Sequence, residues 1–269
     1  MSGHLFVFGL GYTAVRIAAA LRGDGWNVSA TGSAGNLSFG DGAAVRDALA
    51  RADHVLSSVP PVAGADPVLA QYGDALDADM PGGKWLGYLS STGVYGDCGG
   101  AWVDESAATG AGRRSARAEA DAAWLERGAR VFRLPGIYGP GRSALDRVRT
   151  GGAHRIDLPG QVFSRVHVDD IANGVIAALA APPGAYNLAD DFPCSQNTVI
   201  EEACRLLRLP PPPLQTLEQA QLSPMAAGFY AENRRVASGK AHRALGWRPR
   251  YATYREGLAS LLGDPLAPA

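Results

Sequence analysis

Lysine is scarce in this chain, cysteine is sparse, and no long apolar run occurs; each shortage excludes something. Lys84 and Lys240 are the only lysines among 25 basic residues. A GC-rich genome produces the same arginine bias, but it leaves a catalytic lysine only two places to stand. The cysteines, Cys98, Cys194 and Cys204, have no paired spacing. They therefore form neither a disulfide framework nor a zinc knuckle, and a reducing cytoplasm is the expected location. No segment approaches the ~20 apolar residues of a bilayer span, and Met1–Leu10 lacks the charged start and cleavage site of a secretory leader, so no membrane association is expected. An excess of positive charge is also missing, with 25 basic against 26 acidic side chains and a net charge of −1. Nucleic acid, which is bound through net basic surfaces, is therefore not an expected partner.

What is present is apolar. Of 269 residues 46% are hydrophobic and 19% charged, enough for a large core in one α/β domain with a smaller lobe. Apolar β-rich runs predict strands at His4–Phe8, Trp26–Thr31, His54–Val59, Trp85–Ser90, Arg130–Leu134 and Ala185–Leu188. Between them, helices are predicted at Thr13–Leu21, Val45–Ala50, Asp66–Met80, Arg113–Arg127 and Asp169–Ala181. Strands alternating with helices imply a doubly wound parallel sheet over residues 1–190. Residues 191–269 read as a small, mostly helical lobe, with helices at Gln196–Leu207, Leu217–Gln221 and Arg235–Leu245. Pro210–Pro213 is read as a stiff connector in preference to a ligand for an aromatic groove.

The first strand runs into Gly9-Leu10-Gly11-Tyr12-Thr13-Ala14, a GxGxxA turn that opens a helix. In that position Gly9 permits the tight turn, Gly11 lets a pyrophosphate approach the backbone, Ala14 keeps helix and sheet close, and the helix amides of Tyr12 and Thr13 meet the anion. The plainer reading is a strand-to-helix turn without ligand. The end of the second strand, Ala30-Thr31-Gly32-Ser33, carries no carboxylate to hold a ribose 2′-hydroxyl. That favours NADP over NAD, with Thr31 and Ser33 as hydroxyl donors to a 2′-phosphate. Ser58 and Pro135, at the ends of two further strands, complete the expected cofactor cleft, which makes this a Rossmann-type fold.

Three more segments stand where strands end: Leu89-Ser90-Ser91-Thr92-Gly93-Val94-Tyr95-Gly96, Arg133-Leu134-Pro135-Gly136-Ile137-Tyr138-Gly139-Pro140-Gly141, and Arg165-Val166-His167-Val168-Asp169-Asp170. With the glycine turn and Leu245-Gly246-Trp247-Arg248-Pro249, the chain resembles the extended short-chain dehydrogenases/reductases, the superfamily of NAD-dependent epimerases and dehydratases. The resemblance spans nearly the whole chain. It implies a substrate pocket shared with residues 136–165, and dimerisation through the helices at Asp66–Met80 and Arg113–Arg127.

The chemistry departs from that pattern. Ser91 matches the family's serine or threonine four residues before the tyrosine of Val-Tyr-Gly. The family's Tyr-x-x-x-Lys pair, however, falls on Arg113 and Arg117, and Met80 and Val236 stand four residues before the two lysines. The chain thus resembles an atypical subgroup lacking the pair. A guanidinium titrates above ~12 and is no general base near neutrality. Arg117 can still fork onto ribose hydroxyls, and Arg113 shares its helix face. Two fixed cations beside a nicotinamide suit an anionic substrate; two solvated surface arginines are the alternative. Tyr95 is the first candidate for proton transfer, nearby arginines favouring its phenolate, with loop packing as its other role. Tyr138 is a weaker candidate. His167 and Asp169 are read as fastening a helix start in preference to binding metal. Thr92-Gly93 replaces the acid pair of the sugar dehydratases, and Phe163 stands where nucleotide-sugar enzymes carry a phosphate-binding arginine, so neither substrate type is favoured. The expected function is an NAD(P)-dependent oxidoreductase or epimerase-like enzyme on a small anionic hydroxy or carbonyl compound; a catalytically inactive NADP(H)-binding regulator is the alternative.

Overall fold

The computed structural model describes residues 3–77, 83–112 and 115–263. Strand β1 (His4–Phe8) is buried at four successive positions because both of its faces are covered. Helix α1 (Tyr12–Gly23) buries Ala14, Ile17, Ala18 and Leu21, the three-and-four spacing of a single helix face. There follow β2 (Asn27–Ala30), α2 (Gly42–Arg51), β3 (His54–Ser57), α3 (Pro67–Leu76), β4 (Trp85–Ser91), β5 (Trp102–Val103), α4 (Ser115–Glu126) and β6 (Arg130–Leu134). The rest is β7 (Gly136–Tyr138), α5 (Ala144–Arg149), β8 (Arg155–Ile156), β9 (Arg165–His167), α6 (Val168–Ala177), β10 (Gly184–Asn187), α7 (Gln196–Leu207), β11 (Leu214–Gln215), α8 (Pro224–Phe229), β12 (Arg235–Val236), α9 (Gly239–Ala244) and α10 (Tyr254–Ser260).

Six of these strands form one parallel sheet in the order β2-β1-β3-β4-β6-β10. From β1 the chain first moves outward to β2 and then crosses back to β3. The strand order reverses at this point and leaves a crevice at the carboxyl ends of β1 and β3. One face of the sheet is covered by α1 and α6, which share a core with Val7, Phe132, Val175 and Trp247. The other is covered by α2, α3 and α4 through Val45, Leu49, Tyr72 and Trp124. Asp66 caps α3, accepting from the amides of Val68 (2.9 Å) and Leu69 (3.0 Å), and its second oxygen accepts from Trp124 Nε1 at 2.9 Å on α4. The fold class is thus the one the sequence predicts.

The lobe departs from its predicted helices. Leu217–Gln221 is a turn; the helix lies instead at Pro224–Phe229, where Ser223 caps the first turn and Pro224 occupies it. The segment predicted as helix from Arg235 begins as strand β12 against β5, and α9 starts only at Gly239, because Val236 suits a strand and Ser238-Gly239 interrupts the run. Neither is the lobe confined to residues after 190. Helix α5 packs on α7, and β8 pairs with β11. Ala144, Leu145, Val199, Tyr254 and Leu258 share one small core. The proline run joins α7 to β11, and the Pro212 carbonyl accepts from Arg155 Nε at 2.8 Å. Among the described residues no helix is long and apolar enough to cross a membrane.

Candidate active site

The glycine turn is clamped from beneath. Gly9 has φ +81°, and a Cβ there would lie 2.9 Å from Val59 Cγ2 and 3.0 Å from Ser58 Oγ. The Ser58 hydroxyl donates to the Gly9 carbonyl. The Gly9 amide donates to Thr31 Oγ1 at 3.3 Å and the Leu10 amide to the Thr31 carbonyl at 2.7 Å. A Cβ on Gly32 would lie 2.7 Å from the Leu10 nitrogen, so β2 also presses on the turn. Gly11 is different: the nearest atom to a Cβ there is the Gly9 oxygen at 4.0 Å, an ordinary contact that leaves the position uncrowded.

Helix α1 starts at Gly11 without a side-chain cap. Asp41, Asp66, Ser143, His167, Ser195, Ser223 and Thr253 cap seven other helices. The first amides of α1 are left over by helix geometry itself. The uncrowded position at Gly11 and the uncapped amides at Tyr12, Thr13 and Ala14 together make a cradle that fits a diphosphate.

The other predicted cofactor residues have distinct places. Thr31 is buried under the turn and holds it, so it does not face a 2′-phosphate; Ser33 is exposed on the following loop. Ser58 spends its proton on Gly9. Thr13 and Ala14 lie in the base of α1, Ala14 fully buried. The Tyr12 hydroxyl donates to the Pro140 carbonyl at 3.1 Å, and its ring lies 5.5 Å from the Arg142 guanidinium carbon. That side chain therefore ties the glycine turn to the Gly139–Gly141 loop. Pro135 is half-buried directly after β6.

At the substrate end, Ser91 closes β4. Its oxygen accepts from the Gly93 amide at 3.1 Å, leaving its proton for another acceptor. Tyr95 is 3% exposed; its hydroxyl donates to Asn187 Oδ1 at 2.8 Å and accepts from Arg133 Nη1 at 3.1 Å. Burial raises its pKa and outweighs the effect of Arg133, contrary to the expectation that arginines favour its phenolate. Tyr95 belongs to an interior chain that the sequence reading missed. Ser90 Oγ donates to Asp121 Oδ2 at 2.6 Å, and Arg133 forks onto both Asp121 oxygens at 2.7 and 3.1 Å. The signal for it was Arg133 inside the apolar run Val131–Leu134; Asp121 stands among other charged residues of α4 and gave none.

Arg117 is half-buried, donates to the Tyr88 hydroxyl at 2.8 Å and lies over the Tyr88 ring. It is held against β4 and is not a freely solvated side chain. Arg113 lies outside the described residues. His167 accepts from the Asp169 amide at 3.2 Å through Nδ1 and so fastens the start of α6. Tyr138 is buried, and desolvation drives its pKa far above the ordinary phenol value. Among the described residues no three His, Cys, Asp or Glu side chains are grouped to hold a metal ion.

No family model matches the chain. A functionally unknown conserved protein from Silicibacter pomeroyi, known as a solved structure, is 41% identical. That match covers 98% of this chain and 100% of that one, with a TM-score of 0.87. The dTDP-glucose 4,6-dehydratase of Bacillus anthracis, solved with NAD, is 15% identical over 95% of this chain and 94% of its own, with a TM-score of 0.73. A human epimerase family protein solved with NADPH is 16% identical over 96% and 98%, also at 0.73. A curated 3-diazoavenalumate denitrifying reductase from a Streptomyces species is 32% identical over 143 residues, 48% of this chain and 45% of the reductase. The chain thus aligns with less than half the length of that curated relative.

Proposed function

The chain belongs to the family of the Silicibacter pomeroyi protein and has the fold of the NAD-dependent epimerases and dehydratases. From that premise we propose that it is an NAD(P)-dependent oxidoreductase or epimerase-like enzyme acting on a small anionic hydroxy or carbonyl compound. The observation that carries this reading is the uncapped start of α1 at the uncrowded Gly11, in the crevice where the strand order reverses. The aligned Streptomyces reductase supports a reductive direction.

Gly9, held in place by Ser58 and Thr31, shapes the turn, and the amides of Tyr12, Thr13 and Ala14 bind the diphosphate. A nicotinamide bound there supplies or accepts a hydride. The absence of a carboxylate after β2, with Ser33 exposed beside the position, favours NADP. Ser91 donates its free proton to the substrate oxygen. Arg117, on α4, favours an anion over a neutral ligand, and Arg113, four residues earlier in the sequence, adds a second fixed positive charge. Tyr95 has its hydroxyl committed at both lone pair and proton, so we assign it to holding the Ser91 turn, and the proton reaches the substrate through Ser91 and water. A cytoplasmic location and a homodimer through α3 and α4 belong to the same proposal.

The second reading, an NADP(H)-binding regulator without turnover, is favoured by one observation: the tyrosine nearest the reacting end is sequestered in the interior. Single-turnover mixing of the NADPH-loaded protein with a panel of keto acids separates the two. Loss of absorbance at the nicotinamide band is expected for the enzyme; binding with no absorbance change across the panel would establish the regulator.

A further inference from the structure

Ser91 stands between two residues that one buried ion pair holds. It ends β4, and in the register of β4 with β6 its predecessor Ser90 lies opposite Arg133. Helix α4 packs on both strands and brings Asp121 to both residues. Ser90 Oγ donates to Asp121 Oδ2 at 2.6 Å. Arg133 donates to the same oxygen through Nε at 3.1 Å, and to Oδ1 through Nη2 at 2.7 Å. On the far side of Ser91, the turn Thr92–Tyr95 closes on the same guanidinium. The Tyr95 hydroxyl accepts from Arg133 Nη1 at 3.1 Å, and the guanidinium carbon lies 5.1 Å from the centre of the Tyr95 ring. Residues 90 and 95 are thus fixed to one another through Arg133 and Asp121, with Ser91 on the short span between them.

Stability alone does not account for this pair. Taking two charges out of water costs about what their attraction returns, and apolar residues of similar volume would fill the same space at no loss. What a fully satisfied polar network adds is a single geometry. Ser90, Asp121, Arg133 and Tyr95 are all buried, and none of their side-chain nitrogens or oxygens lacks a partner. Asn187 extends the network: its Oδ1 accepts from Tyr95 at 2.8 Å and its Nδ2 donates to the Ala237 carbonyl at 3.1 Å. Within the bracketed span the Gly93 amide donates to Ser91 Oγ at 3.1 Å. A rotation of the strand end or of the turn would break that bond and swing the hydroxyl away.

We propose that Asp121 and Arg133 are positioning residues: by gripping the residue before Ser91 and the end of the turn after it, they hold the Ser91 hydroxyl in place for the substrate oxygen. Both are buried beneath the turn and act only through Ser91. That Ser91 serves a substrate rests on the oxidoreductase reading; how Ser91 is held does not.

Amide proton spectra and single-turnover kinetics of the NADPH-loaded protein test it together. The Gly93 amide resonance reports the bond to Ser91, and Ser91→Ala gives the position of the unbonded amide. Ser90→Ala leaves the ion pair whole but frees the strand end, whereas Asp121→Asn keeps an acceptor for Ser90 and loosens the hold on Arg133. In both variants the Gly93 resonance is expected to move towards its position in Ser91→Ala. With a keto acid that the wild-type protein reduces, the maximal rate of hydride transfer is expected to fall about tenfold, while the keto-acid concentration giving half that rate stays unchanged. Ser90→Thr, which restores the hydroxyl, recovers both signals. Should Asp121→Asn not fold, Ser90→Ala carries the comparison. A Gly93 resonance at its wild-type position in the folded variants, whatever the fall in unfolding midpoint, would reduce the pair to a structural brace and overturn the assignment. A wild-type rate in variants whose Gly93 resonance has moved would overturn it equally. If no keto acid were reduced while Gly93 still moved, the oxidoreductase reading would fall and the hold on Ser91 would stand.

Discussion

A hydroxyl can serve a reaction only if its proton is free for the substrate, and that condition separates Ser91 from Tyr95. Ser91 accepts a single hydrogen bond from Gly93 and keeps its proton, whereas Tyr95 is committed to Asn187 and Arg133. Ser91→Ala is expected to lower kcat by at least about 100-fold, in line with losing a donor to a developing charge, with NADP⁺ affinity unchanged. Tyr95→Phe is expected to retain turnover within about threefold and to lose about 1 kcal/mol of stability. A hundredfold loss of kcat in that variant would return the proton step to Tyr95. Steady-state kinetics and urea unfolding of both variants supply the numbers.

Asp190 makes the other prediction at this scale, because burial pushes its carboxyl up to about 7 against ~3.9 in an unfolded chain. The folded state holds the proton more tightly, so the stability conferred by the protonated carboxyl is complete below about pH 4 and is lost as pH rises to 7. Asp190→Asn should flatten the decline in unfolding free energy between pH 4.5 and 8; an unchanged slope would show that another group sets it. Ser91 was legible in the sequence because its neighbours carry the motif. The fate of Tyr95 was not, since its partners Arg133 and Asn187 lie 38 and 92 residues away.

For the elements, the informative contrast is between two glycines of one turn. Gly9 needs its positive φ and has Val59 and Ser58 against it, while Gly11 has ordinary backbone and is uncrowded. Gly9→Val should therefore destabilise the fold. Gly11→Val should change stability by less than about 1 kcal/mol, the cost of a poor N-cap residue, yet abolish NADPH binding by filling the diphosphate cradle. Thermal unfolding with and without NADPH distinguishes the two. The inner sheet strands could be found in the sequence because a strand covered on both faces is a continuous apolar run, and the edge strand β2, which is only partly covered, because its segment alternates. The two-residue strands β5, β8, β11 and β12 could not, because two residues carry no period. Leu217–Gln221 misled for the same reason: five residues are too few for periodicity to distinguish a turn from a helix.

Across the whole molecule, the lobe is fastened to the sheet by a few buried acceptors. Asp170, fully buried, accepts from the amides of Arg250 at 2.6 Å and Tyr251 at 3.2 Å, and its carbonyl accepts from Trp247 Nε1 at 3.0 Å. Asp170→Ala leaves two amides without an acceptor and is expected to cost about 2–4 kcal/mol, read as a lower urea midpoint. Because the segment it holds packs beside the small core of α5, α7 and α10, loosening it should also raise KM more than it lowers kcat. The sequence revealed the anchoring segment as a motif, Leu245–Pro249, but not its partner. The interleaving of residues 144–156 with the lobe was hidden as well, since those residues precede it by some forty positions.

Calorimetric titration of the purified chain with NADPH, NADP⁺, NADH and NAD⁺ decides whether the open cradle at the start of α1 holds a dinucleotide. Saturable binding is expected, tighter for the 2′-phosphorylated pair and lost in Gly11→Val without a shift in unfolding midpoint. No heat from any of the four nucleotides with the folded wild-type protein would contradict it.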